Sequence, residues 1–234
     1  ALKGEGVANG PWEMRAKVRE NIKYGVDLIK TCSTGGVFSK GTSLGAAQGT
    51  LEELTAVVEE AHARGLKVAS HAHGNAILAG VDTVEHASIL DEATIELAKE
   101  RGVFFSMDIY NTEYTLAEGE KNGVLPESLE KERSISKIQR DSFTAAHKAG
   151  VKMVFGSDSG VYPHGDNPNQ FSRMVQFGMT PIEAITAATA TAAEALGKGG
   201  LLGCVDVGCA ADLVAVTGDP LKDISILENV NFIM

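Results

Sequence analysis

The chain has 234 residues, 44% of them hydrophobic and 22% charged, which suits a globular protein with one sizeable core and excludes disordered and fibrous classes. Its 21 basic and 31 acidic residues leave a net charge of −10 with no basic cluster, which argues against nucleic acid or an anionic membrane as partner and leaves a small-molecule substrate as the expectation. No run of about 18 apolar residues occurs, and ALKGEGVANGPWEMR at the start has neither the basic end nor the apolar centre of a signal peptide, so a cytoplasmic location is expected.

The first predicted element is a helix from Pro11, where Met14, Val18 and Ile22 recur every fourth residue and Gly25 marks the end. VDLIKTC (26–32) then reads as a strand. Thr50 and Glu53 form a capping box that opens a second helix, with Leu51, Leu54, Val57, Val58 and Ala61 on one side and an end near Gly65.

Four further strands are predicted as LKVASH (66–71), VDTVEH (81–86), VFFSMD (103–108) and VKMVFGSD (151–158), with helices near 91–101 and 129–149. Alternating strands and helices imply an α/β fold of parallel βαβ units. An amphipathic stretch follows near 168–178, then a helix opened by the Thr180–Glu183 capping box, and the Gly-rich segment from 197 reads as short β-structure outside the main sheet. Cys32, Cys204 and Cys209 are odd in number and lack metal-ligand spacing, so each reads as a small core or surface residue and no disulfide framework is expected.

Five βα units are too few to close an eight-stranded barrel, so further strands are expected from elsewhere in a longer protein or from other chains. The link between the strands ending at His71 and His86 is also short. About nine residues join them where a parallel crossover normally takes a dozen or more, which suggests a segment missing between His73 and Asn75.

Strand ends are where parallel α/β enzymes keep their chemistry. Lys30 shares a strand face with Val26, Leu28 and Cys32; burial there would favour its neutral amine, which can add carbon dioxide and bridge two metals as a carbamate. A lysine reaching solvent with its head is the alternative for that position alone. His71 and His86 end consecutive strands with imidazoles suited to zinc, and His73, on the side of His71 by alternation, is assigned to substrate. Asp158, in FGSDSG, can ligate metal and accept a proton from an attacking water. Lys, His, His and Asp at one rim of successive strands, with only the 103–108 strand skipped, point to one metal centre. Tyr110, Tyr162 and His164 follow strands on the same rim, where they can hydrogen-bond a substrate carbonyl or carboxylate.

Six segments together resemble the amidohydrolase superfamily, in its imidazolonepropionase-like and Xaa-Pro dipeptidase-like (prolidase-like) branch. They are IKTCSTGGV (29–37), EAHARGLKVASHAHG (60–74), AGVDTVEHAS (79–88), GSDSGVYPHGDN (156–167), MTPIEAITAATATAAEALG (179–197) and GCAADLVAVTGDPL (208–221). The resemblance implies a (β/α)8 TIM barrel, with residues 1–196 supplying its fourth to eighth strands and residues 197–234 the C-terminal part of a small β-sandwich domain. It makes Lys30 a carboxylated lysine bridging two divalent metals, zinc by expectation, His71 and His86 ligands on the fifth and sixth strands, and Asp158 the ligand and general base on the eighth.

The implied reaction is hydrolysis of the amide of a dipeptide or N-acyl amino acid by a metal-activated water, in a homo-oligomer. The alternatives are a cyclic amide substrate and a catalytically incomplete fragment. This branch begins with a His-x-His pair on the first strand, and no such pair precedes Lys30 here; the one present is His71-Ala72-His73. A fragment lacking the N-terminal part is therefore expected, and the family's longer His-to-His connection agrees with a gap near Gly74.

Overall fold

The computed structural model describes residues 6–72 and 75–234. In chain order its elements are α1 (Gly10–Lys23), β1 (Leu28–Cys32), α2 (Leu51–His62), β2 (Lys67–Ala72), a 3-10 turn (Asn75–Ala79), β3 (Thr83–His86), α3 (Glu92–Arg101), β4 (Phe104–Met107), α4 (Ile109–Glu118), α5 (Pro126–Ala149) and β5 (Met153–Phe155). After them come α6 (Asn169–Gln176), α7 (Pro181–Ala188), α8 (Ala190–Ala195), β6 (Val214–Ala215), a second 3-10 turn (Ile224–Glu228) and β7 (Phe232–Ile233).

β1 to β5 form one parallel sheet in sequence order, with Cys32 paired to His71 and Ala72 to His86. All five predicted strands are present, β2 shifted by one residue at the same length and the other four shorter than predicted. β6 and β7 make a separate antiparallel pair, the β-structure expected of the Gly-rich end.

The helices start where the local chemistry says they should. Both capping boxes are formed, Thr50 with Glu53 ahead of α2 and Thr180 with Glu183 ahead of α7, so orphan amides at each helix start have a side-chain acceptor. α5 begins at Pro126, three residues before the predicted helix, because proline suits a first turn whose amides lack partners anyway. The 10-residue α4 was not anticipated; its IYNTEYTLAE sequence lacks a clean apolar stripe.

The helix-facing side of the sheet carries the core. Ile29, Val68, Ala72, Val84, Phe105 and Met107 pack with Val57, Val58 and Ala61 of α2, Ile95 and Ala98 of α3, and Phe143 and Ala146 of α5. On the other side of β1, Leu28, Lys30 and Cys32 are exposed. The burial expected for Lys30 is therefore corrected: its strand face has no layer packed over it among the described residues.

α1 is tied to α2 by charge. Glu60, 5% exposed, accepts two 2.8 Å bonds from Arg19 and pairs also with Arg64 and Arg15.

The connection from β2 to β3 is made by a single 3-10 turn in place of an α-helix. Ala76 and Ile77 of that turn are both 1% exposed, and Arg101 donates to the carbonyls of Ile77 and Leu78 at 3.1 and 3.2 Å. The gap expected between His73 and Asn75 falls on His73 and Gly74, outside the described residues.

The cysteine expectation is overturned in one respect. Cys204 and Cys209 are joined by a disulfide, which their spacing did not announce, and Cys32 is a free, exposed thiol.

Candidate metal centre

At the C-terminal rim of the sheet a cavity of about 200 Å³ is lined by Lys30 and Cys32 of β1, His71 of β2, His86 of β3, Asp108 after β4 and Asp158 after β5. The four residues singled out as metal ligands thus meet around one space. They come from four strands, so the parallel register brings them together.

Asp108 is the residue that sequence reasoning passed over. It occupies the N-cap position of α4, yet its carboxylate makes no cap bond to that helix. Instead Oδ1 lies 2.9 Å from His86 Nδ1, and Oδ2 accepts from Asn111 Nδ2 at 2.8 Å. Asn111 Nδ2 also reaches Asp158 Oδ2 at 3.3 Å, which links the two carboxylates through one amide. The signal in the sequence was available: Asp108 ends its strand as His86 and Asp158 end theirs.

Among the described residues, one set of three offers ligand atoms within 4.8 Å of one another: His86, Asp108 and Asp158. His71 stands beside it, its ring centroid 4.5 Å from that of His86 in an edge-on arrangement. Gly36 closes over His71 so tightly that a β-carbon there would lie 2.7 Å from both Cε1 and Nε2 of the ring. Imidazole nitrogen and carboxylate oxygen are the donors that zinc and related divalent ions take, and this donor set fits such an ion.

The electrostatics are those of closely opposed charges. Burial alone would lower the pKa of His86, but the charge and hydrogen bond of Asp108, with the charge of Asp158, push it up to about 9. Asp108 is fully buried, which works against ionisation; the His86 charge and the bonds from His86 and Asn111 outweigh this and bring it down to about 2. Asp158 moves the other way: desolvation of its carboxylate and the neighbouring Asp108 charge hold its pKa above the usual value.

The backbone is unusual at the same place. Among the described residues, the non-glycine positions with positive φ are His86 at 70°, Ala87 at 44° and Asp158 at 48°. Left-handed backbone is uncommon outside glycine, although His and Asp tolerate it better than most residues, and such strain concentrates at functional sites. These turns break the strand alternation, by which His86 would follow Val84 into the core.

The residues expected to meet substrate are less uniform. Tyr110 is half-buried at the start of α4, with its ring 5.0 Å from that of Tyr162. Tyr162 is 1% exposed, packed also against Tyr114 at 5.7 Å, and burial pushes its phenol up to about 12. None of Tyr110, Tyr162 and His164 is among the residues that line the cavity. His164 is exposed, its Nδ1 3.1 Å from the Ser159 hydroxyl. His73 lies outside the described residues.

A model of the amidohydrolase family matches residues 4–234. Ochratoxinase of Aspergillus niger is 35% identical over 229 residues, covering 95% of this chain and 47% of that protein. Imidazolonepropionase of Chromobacterium violaceum is 32% identical over 172 residues, covering 68% of this chain and 36% of that protein. The crystal structure of a Xaa-Pro dipeptidase with methionine bound in its active site superposes with a TM-score of 0.93 at 40% identity, over 98% of this chain and 58% of that one. The chain spans about half the length of the curated relatives it matches. With a family match over nearly all of its residues and a five-stranded parallel sheet in sequence order like that of the TIM-barrel neighbours, this chain belongs to the amidohydrolase family.

Proposed function

We propose that this chain carries the metal-binding and acid–base residues of a metal-dependent amidohydrolase that cleaves the amide of a dipeptide or N-acyl amino acid. The observation that supports it most is the meeting of His86, Asp108 and Asp158 with Lys30 and His71 around one cavity. The likeness to a Xaa-Pro dipeptidase favours a substrate with a free carboxylate.

In this reading Lys30, as a carbamate, with His71, His86 and Asp158 holds two divalent ions, zinc by preference. When bound, these ions supply Lewis-acid polarisation of the scissile carbonyl and acidify a water. Asp158 accepts a proton from the attacking water and returns it to the leaving nitrogen, a role suited to a carboxylate whose pKa is already raised. Asp108 fixes the tautomer and orientation of the His86 ring through Nδ1. Asn111, bonded to both Asp108 and Asp158, keeps the two carboxylates from drifting apart. Tyr110, Tyr162 and His164 are assigned to the substrate carbonyl or carboxylate, and His73 is assigned the same task. The enzyme is taken to be cytoplasmic; no helix among the described residues is long and apolar enough to cross a membrane.

A second reading, hydrolysis of a cyclic amide, is favoured by the likeness to imidazolonepropionase. Metal analysis of the purified, dialysed protein and a panel of Xaa-Pro dipeptides, N-acyl amino acids and an imidazolone test both. Bound zinc with turnover of the amino-acid amides is expected. Turnover of the imidazolone alone moves the assignment to the second reading, and a protein that binds no divalent metal refutes both.

A further inference from the structure

α5 carries a second set of polar residues to the cavity. Glu132, Ile135 and Gln139, three and four residues apart, lie on one stripe of that helix and all line the space that holds His86, Asp108 and Asp158. Glu132 is 5% exposed and Gln139 3%.

Several other buried polar groups of this wall have partners within the protein. The Gln139 carbonyl accepts from the Thr112 hydroxyl at 2.7 Å, Asn111 donates to both aspartates, and Asp108 meets His86. Glu132 differs. Among the described residues no lysine, arginine or histidine nitrogen comes within ion-pairing distance of it. A carboxylate buried to this degree without an ion pair is costly, and the charges of His86 and Arg140 act on it only from beyond ion-pairing distance.

We propose that Glu132 recognises a positively charged nitrogen of the substrate. The source is either the free α-ammonium of a dipeptide or the cationic end of its side chain; both present the same chemistry. The inference rests on the amidohydrolase reading and adds to it a preference for cationic over neutral acyl portions. Desolvation, with the charge of Asp108, holds the Glu132 carboxyl above its usual pKa against the Thr112 hydroxyl and the charges of His86 and Arg140, so an arriving cation would offset a cost that those groups leave in place. Cation and carboxylate form a charge-assisted pair, stronger than a neutral hydrogen bond.

Glu132→Gln keeps the shape and removes the charge. Binding to the zinc-loaded protein is measured by calorimetry for two tetrahedral amide mimics, aminomethylphosphonyl-L-proline and methylphosphonyl-L-proline, which differ by one ammonium group. A second pair, N-acetyl-lysyl-proline and N-acetyl-norleucyl-proline, separates a side-chain cation from an α-ammonium by KM. The wild type is expected to prefer the charged member of one pair by about tenfold or more, and Glu132→Gln to lose that preference with the neutral member, the zinc content and the thermal midpoint unchanged. Equal affinity for charged and neutral members in the wild type, or an equal loss of both in the variant, overturns the proposal. Calorimetry does not need turnover, so protein that binds the mimics without charge preference yet hydrolyses amides refutes the role of Glu132 and leaves the proposed function standing.

Discussion

His86 Nδ1 lies 2.9 Å from Asp108 Oδ1, a contact between the ends of two adjacent strands that joins a proposed metal ligand to a buried carboxylate. Such a carboxylate holds the imidazole in one orientation and tautomer. Asp108→Asn should weaken zinc binding by about 10- to 100-fold. Competition with a chromophoric chelator reads this directly, and an unchanged affinity would show that the pair does not tune the site.

Lys30 is exposed on β1 yet lines the cavity. Lys30→Ala should therefore leave stability within about 0.5 kcal/mol while abolishing amide hydrolysis at saturating zinc. Chemical denaturation and turnover, measured on the same sample, separate the two effects. Near-normal turnover would remove Lys30 from the metal centre.

Gly36 stands where a β-carbon would lie 2.7 Å from the His71 ring. In Gly36→Ala the ring must swing away, so zinc affinity should fall by about tenfold or more while the fold persists. A crystal structure of the variant with His71 undisplaced would defeat this expectation.

Glu60 sits among Arg15, Arg19 and Arg64, and the hydrogen bond from Arg19 leads the effects that bring its pKa down to about 2, against the cost of burial. A carboxylate with a depressed folded-state pKa contributes stability that is complete above its ordinary pKa of 4.5 and is lost as pH falls from there toward 2. Glu60→Gln should cost on the order of 2 kcal/mol at neutral pH and much less near pH 2, which urea titrations across that range would record. A pH-independent difference would mean that packing, not charge, holds α1 to α2.

The strand order and the convergence of Lys30, His71, His86 and Asp158 were legible because apolar runs of strand length alternate with amphipathic helices and each candidate lies at or near a strand end. Asp108 was passed over although it too ends a strand run, since its strand was the one skipped in the ligand set, and the coordinates show it turned to His86 and Asn111. Glu132 was hidden differently: a charged residue within the buried stripe of a 24-residue helix looks like solvated surface until the cavity beneath it is seen. The Cys204–Cys209 pairing depends on a turn that brings the α-carbons to 6.0 Å, and spacing alone carries no such information. Tyr162 reads as a rim residue because loops after strands usually are, and its burial beside Tyr110 and Tyr114 could not be read from spacing.

The left-handed turns at His86, Ala87 and Asp158 bear on any attempt to transplant this centre. Copying the side chains onto regular strand ends of another barrel would aim the ring of His86 along the ordinary alternation, into the hydrophobic layer, because its direction is set by φ and not by residue type. The graft has to include the bends themselves. A saturation library at position 87, which is fully buried, would reveal the same constraint, with glycine and alanine recovered ahead of valine, isoleucine and threonine, whose branched side chains resist that backbone.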